Sequence, residues 1–294
     1  MTNYSNYAII ASFFGLWINS YLSTIGQLCV GFILIFTFGI LHGANDLELI
    51  KIVNTKGKTL HFYKVLLYYV AIVLSGAILF YIIPWLALSL FILVSGYHFG
   101  EQQWNEKLKL ANRWVKFFFQ MIYGLIILFL IFLFHDKEVY TIILAITSIG
   151  VPIYSFFLIL KILLFLFILF IVFLYFINEE FKNFIFKELF YLIVFTILFK
   201  VSSLIWGFAL YFIFWHSIPS IMNQMKFLYG EVSFENFKIY FRSAFFYWIV
   251  SLVGIALLYF ILKDQKIFNA LFFSFLASIT FPHVLVILKM FEKK

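Results

Sequence analysis

Cysteine, proline and charged residues are all scarce in this chain of 294 residues, which holds one cysteine and four prolines. The single cysteine, Cys29, cannot form a disulfide bond within the chain, and it excludes a metal site built from several cysteines. Charged residues make up 12% of the chain, roughly half the fraction of a soluble domain, whereas 65% of its residues are hydrophobic. This composition excludes an ordinary soluble protein.

Apolar stretches of about 20 residues recur along the sequence, and each is long enough to cross a membrane as a helix. Within these stretches apolar residues follow one another without alternating with polar ones, which favours helices over a closed barrel. We therefore predict an all-α fold, a polytopic transmembrane helical bundle of about nine or ten transmembrane helices, with residues 1–294 as a single integral membrane domain. A break at Gly150 and Pro152 predicts a re-entrant or interfacial piece over residues 139–152. The predicted helices cover residues 7–22, 26–50, 62–83, 84–101, 114–134, 154–177, 188–200, 203–225, 239–262 and 267–289.

The net charge of +8 arises mainly from lysines in the predicted loops, among them Lys51, Lys56 and Lys58. The positive-inside rule places these loops and both chain ends in the cytoplasm, which predicts a multi-pass protein of the cell inner (cytoplasmic) membrane. No basic run is long enough to indicate nucleic-acid binding, so membrane lipid is the expected environment. Residues 1–7 show neither a basic region nor a small-residue cleavage site, so we expect the first apolar segment to be a retained helix.

Four of the six histidines lie inside predicted helices, near the same end of each helix. The next lysine follows each of them after six to ten residues, so their depths differ by roughly one helical turn. If these helices are neighbours, the four rings can converge on one point. These candidate metal ligands are His42, His98, His216 and His283. The other two histidines, His61 and His135, lie at predicted loop edges, and we assign them no role.

Neutral imidazole suits a buried metal site, because it binds iron, zinc, copper or nickel without adding a charge to the membrane interior. Asp46 follows His42 by four residues and Glu101 follows His98 by three, so each carboxylate is expected on the helix face of its histidine. There it could accept the second N–H of a metal-bound ring. Two simpler interpretations stay open: histidines that form hydrogen bonds between helices, and carboxylates that merely reach the membrane interface.

Four short motifs around these histidines resemble the Brp/Blh family of bacterial and archaeal β-carotene 15,15′-dioxygenases. The family's G-x-x-H-G-x-x-D and S-x-x-H-F-G patterns match residues 39–46 and 95–100. Its W-H-S and late P-H patterns match residues 215–217 and 282–283. The matches follow the family's order and cover nearly the whole chain, which makes the set far more specific than any one motif.

The resemblance implies an all-helical membrane oxidoreductase that holds non-haem Fe(II) and uses O₂ to split the central 15,15′ double bond of β-carotene into two molecules of all-trans-retinal. It implies His42, His98 and His216 as iron ligands and no catalytic side chain beyond the metal site. Some members have a histidine at the position of Ser220, so the fourth ligand is open between His283 and water. The implied downstream partner is a retinal-binding rhodopsin. The residues expected beside the ligands are Asp46, Glu101 and Ser220.

Three other functions stay open on the sequence alone. The histidines could relay protons or metal ions in a membrane transporter, although no internal repeat and few acidic residues accompany them. Paired axial histidines would also suit a haem-binding electron-transfer bundle, which a Soret absorption band would reveal. Finally, Ser220 is compatible with a non-catalytic carotenoid-binding protein that keeps the fold. Metal that stays bound through purification, without ion flux, would separate the enzyme from the transporter.

Overall fold

The computed structural model of the chain describes residues 2–53, 62–110, 112–262 and 265–293, which are helical almost throughout and contain no strand. The all-α prediction is thereby confirmed. Lys56, Lys58 and His61 lie outside the described residues. Two segments are π-helical, Ile35–Gly39 and Phe212–Ser217. The α-helices are α1 Thr2–Asn19, α2 Thr24–Leu34, α3 Asp46–Val53, α4 Phe62–Ile82, α5 Pro84–Trp104, α6 Arg113–Phe134, α7 Asp136–Thr147, α8 Tyr154–Ile177, α9 Glu179–Val201, α10 Leu204–Tyr211, α11 Ile218–Tyr229, α12 Phe234–Leu262 and α13 Gln265–Glu292.

Six helical stretches of the described chain are long and apolar enough to cross a membrane. The most apolar, Tyr154–Ile177, has a mean hydropathy of 3.3, and only 22% of its apolar window is buried within the protein. Such a helix is apolar on its outer face as well, which suits lipid rather than water. The protein is therefore a polytopic membrane protein, and the remaining predicted crossings stay predictions. The six stretches are Tyr63–Ile82, Arg113–Phe134, Tyr154–Ile177, Leu204–Tyr229, Phe234–Leu257 and Ser274–Glu292.

Two helices that we predicted as continuous are interrupted close to a histidine. The predicted helix over 26–50 consists of α2, the first π-helical segment, a turn over residues 42–45, and α3. The predicted helix over 203–225 consists of α10, the second π-helical segment and α11. A π-helical turn fits one extra residue into a helix and is frequent at functional sites. The hydrophobic pattern alone does not reveal such an insertion.

Several other predicted boundaries differ from the structure; for example, α1 begins at Thr2 rather than at residue 7, and α12 begins at Phe234 rather than at residue 239. Most of the piece predicted over 139–152 belongs to the regular helix α7, which ends where Ser148 adopts a φ of 56°. Helix α9 begins at Glu179 rather than at residue 188, because the side chain of Asn178 accepts a hydrogen bond from the backbone N–H of Phe181 at 2.9 Å. Asparagine at that position, followed by two glutamates in the first turn, stabilises a helix start.

The chain divides into two compact units, each assembled from three separate stretches of sequence. Unit 1 comprises Met1–Leu34, Ile92–Thr141 and Gly150–His216. Unit 2 comprises Ile35–Phe91, Ile142–Ile149 and Ser217–Lys294. Neither unit is a continuous piece of chain, and the single membrane domain over 1–294 stays a prediction.

Helix α6 organises unit 1 by packing against α8 and α9, while α10 packs against α2. Glu188 of α9 is buried and accepts hydrogen bonds from Gln103 Nε2 at 2.8 Å, Lys107 Nζ at 2.6 Å and Tyr123 Oη at 2.9 Å. A carboxylate in an apolar interior is stable only with such partners. This cluster ties the end of α5 and the loop after it to α6 and α9.

Helix α13 organises unit 2 by packing along α4 and against α3 and α12. Leu49 of α3 and Ile287 of α13 are fully buried in one apolar cluster. A second cluster forms around Tyr240 of α12, which contacts Leu41 and Ile221. In lipid such clusters contribute through close packing rather than through removal of apolar surface from water.

Candidate functional site

His42 and His283 form a buried pair in unit 2. Their ring centroids are 4.8 Å apart, and the two ring planes are nearly perpendicular, at 87°. His42 begins the turn over residues 42–45, three residues after the first π-helical segment, and His283 follows Pro282 within α13. Only 6% of His42 and 3% of His283 is exposed. The pair is therefore held inside the protein by two elements that are far apart in sequence.

A backbone carbonyl fixes the tautomer of the His42 ring. Nδ1 of His42 lies within hydrogen-bond distance of the carbonyl oxygen of Gly39. Because a carbonyl oxygen only accepts, Nδ1 carries the proton and donates it. In the neutral ring Nε2 then keeps the lone pair, so Nε2 is the nitrogen of His42 that can bind a metal.

Asp46 lies against His283 rather than against His42, its expected partner. Its Oδ1 is 2.8 Å from Nδ1 of His283, and its Oδ2 accepts a hydrogen bond from Tyr69 Oη at 2.9 Å. The four-residue spacing from His42 misled the prediction because residues 42–45 form a turn, in which the helical i,i+4 neighbourhood does not exist. The carboxylate accepts from Nδ1 of His283, which leaves Nε2 of that ring for a metal.

Ser220 and Gln224 of α11 form a buried polar network behind His42. Gln224 Nε2 donates to the His42 carbonyl oxygen at 2.7 Å and to Ser220 Oγ at 3.1 Å. The hydroxyl of Tyr240 donates to Gln224 Oε1 at 2.8 Å. This network satisfies the carbonyl oxygen of a residue that has left the helix, which would otherwise be a buried acceptor without a donor. Ser220 was predicted from the sequence, whereas Gln224, Tyr240 and Tyr69 were not.

His98 and His216 form the corresponding pair in unit 1. Their ring centroids are 4.7 Å apart, with an angle of 78° between the planes, and both residues are almost fully buried. His216 belongs to the second π-helical segment. Its ring lies against two aromatic rings, edge to face with Phe99 at 4.8 Å and stacked on Phe212 at 5.3 Å. Aromatic rings in these arrangements attract one another and hold the imidazole in place.

Glu101 is more distant from its histidine than Asp46 is from His283. The distance between Glu101 Oε2 and His98 Nδ1 is 3.8 Å, which exceeds a hydrogen bond. Glu101 Oε1 accepts a hydrogen bond from the hydroxyl of Tyr97 at 3.1 Å. The carboxylate is nevertheless buried inside the protein, at 2% exposed.

The helix that carries His98 crosses α6 at backbone contact distance. A Cβ built on Gly100 of α5 would overlap the carbonyl oxygen of Gln120, and one built on Gly124 of α6 would overlap the carbonyl oxygen of Gly96. Glycine is required where two helices approach this closely. Because Gly96 and Gly100 flank His98, the crossing fixes where that ring lies.

Buried histidines of this chain could hold a metal ion. Three of them, His42, His98 and His283, could each offer one ring nitrogen. Neutral imidazole nitrogens suit iron, zinc, copper and nickel, whereas calcium and magnesium prefer oxygen ligands. The chemistry of these donors therefore fits the predicted non-haem iron, although it does not single out iron among these metals.

His135 differs from the paired histidines in its surroundings. It follows α6 and is only partly buried, and its Nε2 donates a hydrogen bond to the carbonyl oxygen of Phe199 at 2.9 Å. Burial lowers the pKa of His135 below its usual value. The His135 ring therefore links the end of α6 to α9.

Comparison with known proteins gives one family match. A family model described as beta-carotene 15,15'-dioxygenase matches residues 33–291, a range that includes all four paired histidines. No curated protein and no solved structure matches the chain. Since the match extends over most of the sequence, the chain belongs to the beta-carotene 15,15'-dioxygenase family.

Proposed function

We propose that this protein cleaves β-carotene at its central 15,15′ double bond with O₂ and produces two molecules of all-trans-retinal. The observation that carries the proposal is the family match over residues 33–291, a range within which all four motif histidines are buried. Polar side chains inside a membrane protein are rare and usually functional. Buried imidazoles without a nearby nucleophile motif favour metal chemistry over side-chain catalysis.

The proposed cofactor is Fe(II), held by His42, His98, His216 and His283. Nitrogen donors of this kind suit iron, and they keep the net charge of the buried site low. When bound, the iron supplies the binding and activation of O₂ that no amino-acid side chain provides. With four histidines available as ligands, Ser220 is assigned a supporting role through its hydrogen bond from Gln224.

The side chains around the histidines orient the rings. The Gly39 carbonyl and Asp46 each accept a hydrogen bond from an Nδ1–H group, so His42 and His283 both present Nε2 as the ligand nitrogen. In unit 1 the rings of Phe99 and Phe212 surround His216 with apolar surface that excludes water. We assign Glu101 a weaker version of the role of Asp46, in accordance with its greater distance from its histidine.

The proposed substrate is an apolar rod that dissolves in the bilayer. β-Carotene has no polar group, so the protein can recognise it only through shape and apolar contact. A membrane enzyme can receive such a molecule sideways from the lipid, without passage through water. The proposed location is the cell inner membrane, where the retinal released can pass to a rhodopsin.

Expression in bacteria that accumulate β-carotene tests the proposed reaction. We expect the orange colour to fade and two retinal molecules to appear for each β-carotene consumed, measured by liquid chromatography. His42→Ala and His98→Ala should abolish cleavage while the amount of protein in the membrane stays unchanged. His135→Gln, which changes a histidine outside the pairs, should remain active. Unchanged carotenoid in the presence of iron and O₂, with the protein present in the membrane, would refute the proposal.

Metal analysis of the purified protein tests the cofactor and separates the enzyme from a transporter. We expect iron in a one-to-one ratio with the chain, lost in His42→Ala and kept in His135→Gln. Vesicles containing the protein should show no flux of iron or protons. Flux through the wild-type protein, or a Soret band in its spectrum, would favour the transporter or the haem-binding bundle instead.

A further inference from the structure

Three tyrosine hydroxyls of the described residues donate hydrogen bonds to buried carboxylates. Tyr69 donates to Asp46 at 2.9 Å, Tyr97 donates to Glu101 at 3.1 Å, and Tyr123 donates to Glu188 at 2.9 Å. A buried carboxylate needs donors wherever it occurs, so such a pair by itself indicates only a stable fold. The three pairs differ, however, in what else the carboxylate contacts.

Only one of these pairs lies in a chain of hydrogen bonds that ends on a histidine and joins separate helices. Tyr97 and Glu101 are four residues apart on the same helix, so their contact is local. Glu188 is neutralised by Lys107 at 2.6 Å and is part of the packing of unit 1. Asp46, by contrast, receives Tyr69 on one oxygen and Nδ1 of His283 on the other. The three residues come from α4, α3 and α13, which pack against one another.

We propose that Tyr69 is a positioning residue that acts through Asp46 on His283, and this inference rests on the proposed role of His283 as a metal ligand. The sequence gives no hint of it, because Tyr69 lies 23 residues after Asp46 and belongs to none of the histidine motifs. Its hydroxyl has a single proton, and that proton is donated to Asp46.

The physical argument concerns the orientation of the Asp46 carboxylate. The torsion that turns a carboxylate plane about its Cβ–Cγ bond has a broad energy minimum, so one hydrogen bond leaves the plane poorly defined. A second donor on the other oxygen fixes the plane. Because Oδ1 of Asp46 then points steadily at Nδ1 of His283, the ring is held in one orientation and presents Nε2 as its ligand nitrogen. Charge-assisted hydrogen bonds are strong enough for this task.

Burial makes the effect of the Tyr69 hydrogen bond on the Asp46 carboxylate larger than it would be at a surface. Asp46 is 1% exposed and His283 is 3% exposed, so water is not at hand to replace a missing donor. The Asp46 carboxylate accepts from Nδ1 of His283, which leaves Nε2 of that ring for a metal.

Titration of the metal-free protein with Co²⁺ tests the inference, because Co²⁺ bound by histidine nitrogen has a visible absorption spectrum that reports both affinity and geometry. Tyr69→Phe removes one hydroxyl and keeps the ring. We expect it to weaken Co²⁺ binding about tenfold, the loss expected for one hydrogen bond to a charged group. Asp46→Asn should weaken binding about 10- to 100-fold. Both variants should shift the visible absorption band.

Two matched controls separate this role from a general effect on stability. Tyr123→Phe removes the same kind of hydrogen bond from Glu188, a carboxylate without a histidine, and should lower the thermal unfolding midpoint without changing Co²⁺ affinity. Tyr68→Phe changes the neighbouring tyrosine on α4, whose side chain is largely exposed, and should change neither quantity. A double variant adds a sharper test: in the Asp46→Asn background, Tyr69→Phe should cause no further loss of affinity.

The Co²⁺ titrations decide whether Tyr69 positions His283 or only stabilises the fold. If Tyr69→Phe binds Co²⁺ as the wild type does, or lowers only the unfolding midpoint as Tyr123→Phe does, Tyr69 is structural and the inference is wrong. The same holds if its effect adds in full to that of Asp46→Asn. If the wild-type protein binds no Co²⁺, or His283→Ala binds it unchanged, the proposed ligand set itself fails and the inference fails with it.

Discussion

The two histidine pairs have nearly the same geometry, with ring centroids 4.8 Å apart in unit 2 and 4.7 Å apart in unit 1, but their surroundings differ in kind. Behind His42 and His283 lie hydrogen-bond acceptors and donors: a backbone carbonyl, a carboxylate, an amide and two tyrosine hydroxyls. Beside His98 and His216 lie aromatic rings and a crossing of α5 and α6 at backbone contact distance.

The two pairs illustrate two ways in which a protein can prepare a histidine to bind a metal, by hydrogen bonds and by packing. Hydrogen bonds from Nδ1 determine which nitrogen carries the proton and therefore which one keeps its lone pair. Ring packing and close helix contact determine where the imidazole lies. We therefore expect the pair in unit 2 to be sensitive to the loss of polar groups, and the pair in unit 1 to be sensitive to added volume.

The largest effect is expected from Gly100→Ala in unit 1. Its methyl group would overlap the carbonyl oxygen of Gln120, and the helices cannot separate without moving His98. We expect the free energy of unfolding to fall by about 3 kcal/mol. Gly254→Ala is the matched control, because a Cβ there would contact nothing within 4 Å, and it should raise stability by about 0.5–1 kcal/mol. Thermal unfolding in detergent measures both, and equal stability of the two variants would contradict the described crossing.

The next largest effect is expected from Gln224→Leu in unit 2. It removes the donor to the His42 carbonyl and the acceptor for Tyr240, which should cost about 2–3 kcal/mol of unfolding free energy. Metal affinity should fall as well, because His42 loses a contact that holds its backbone. The control Gln27→Leu removes a glutamine that donates to the backbone carbonyls of Asn19 and Leu22 instead of to that of a histidine, so metal affinity should not change. Equal affinities in both variants would exclude a role of Gln224 in holding His42.

A smaller effect is expected from Phe212→Leu in unit 1. The ring of Phe212 stacks on His216 at 5.3 Å and on Phe208 at 5.1 Å. Replacing it should lower the unfolding free energy by about 1 kcal/mol and should leave the tautomers in unit 2 unaffected. Phe176→Leu, at a residue 80% exposed, provides a baseline for the same substitution facing lipid. Similar losses in both variants would show that the stacking contributes little.

The smallest effect is expected from Glu101→Gln. The carboxylate lies 3.8 Å from His98, and a glutamine oxygen can still accept the hydrogen bond from Tyr97. Metal affinity should therefore change by about twofold or less. Asp46→Asn is the counterpart in unit 2 and should have a far larger effect. If the two variants lose the same affinity, the contrast between the pairs does not extend to their carboxylates.

Much of the fold follows from the sequence because helices in lipid need long apolar stretches. The predicted helices over 62–83, 114–134 and 154–177 agree with α4, α6 and α8 within about two residues, since each is a single apolar run with a polar or proline boundary. The start of α9 was also predictable, because Asn178 is a favourable cap residue and two glutamates follow it. Glu179, Glu180 and Lys182 form a charged stretch typical of a loop in a membrane protein, yet they belong to the first turn of this helix.

The sequence predicts four histidines as candidate ligands, but it predicts their hydrogen-bond partners less well. Matched depth along the helices indicated that His42, His98, His216 and His283 belong together, and the structure brings them into two pairs. The partner of Asp46 was mispredicted because a turn replaces the helix after His42. Gln224 donates to the backbone of a residue 182 positions away, and no local pattern encodes such a contact.

The contact between Asp46 and His283 joins residues 237 positions apart. At a synthesis rate of about 5–20 residues per second, roughly 10–50 s pass between the appearance of these two residues on the ribosome. During that interval Asp46 has already entered the nascent protein, while α13, which carries its histidine, has yet to be translated. On the proposed assignment of His283 as a metal ligand, the metal is therefore bound late, after α13 has been translated.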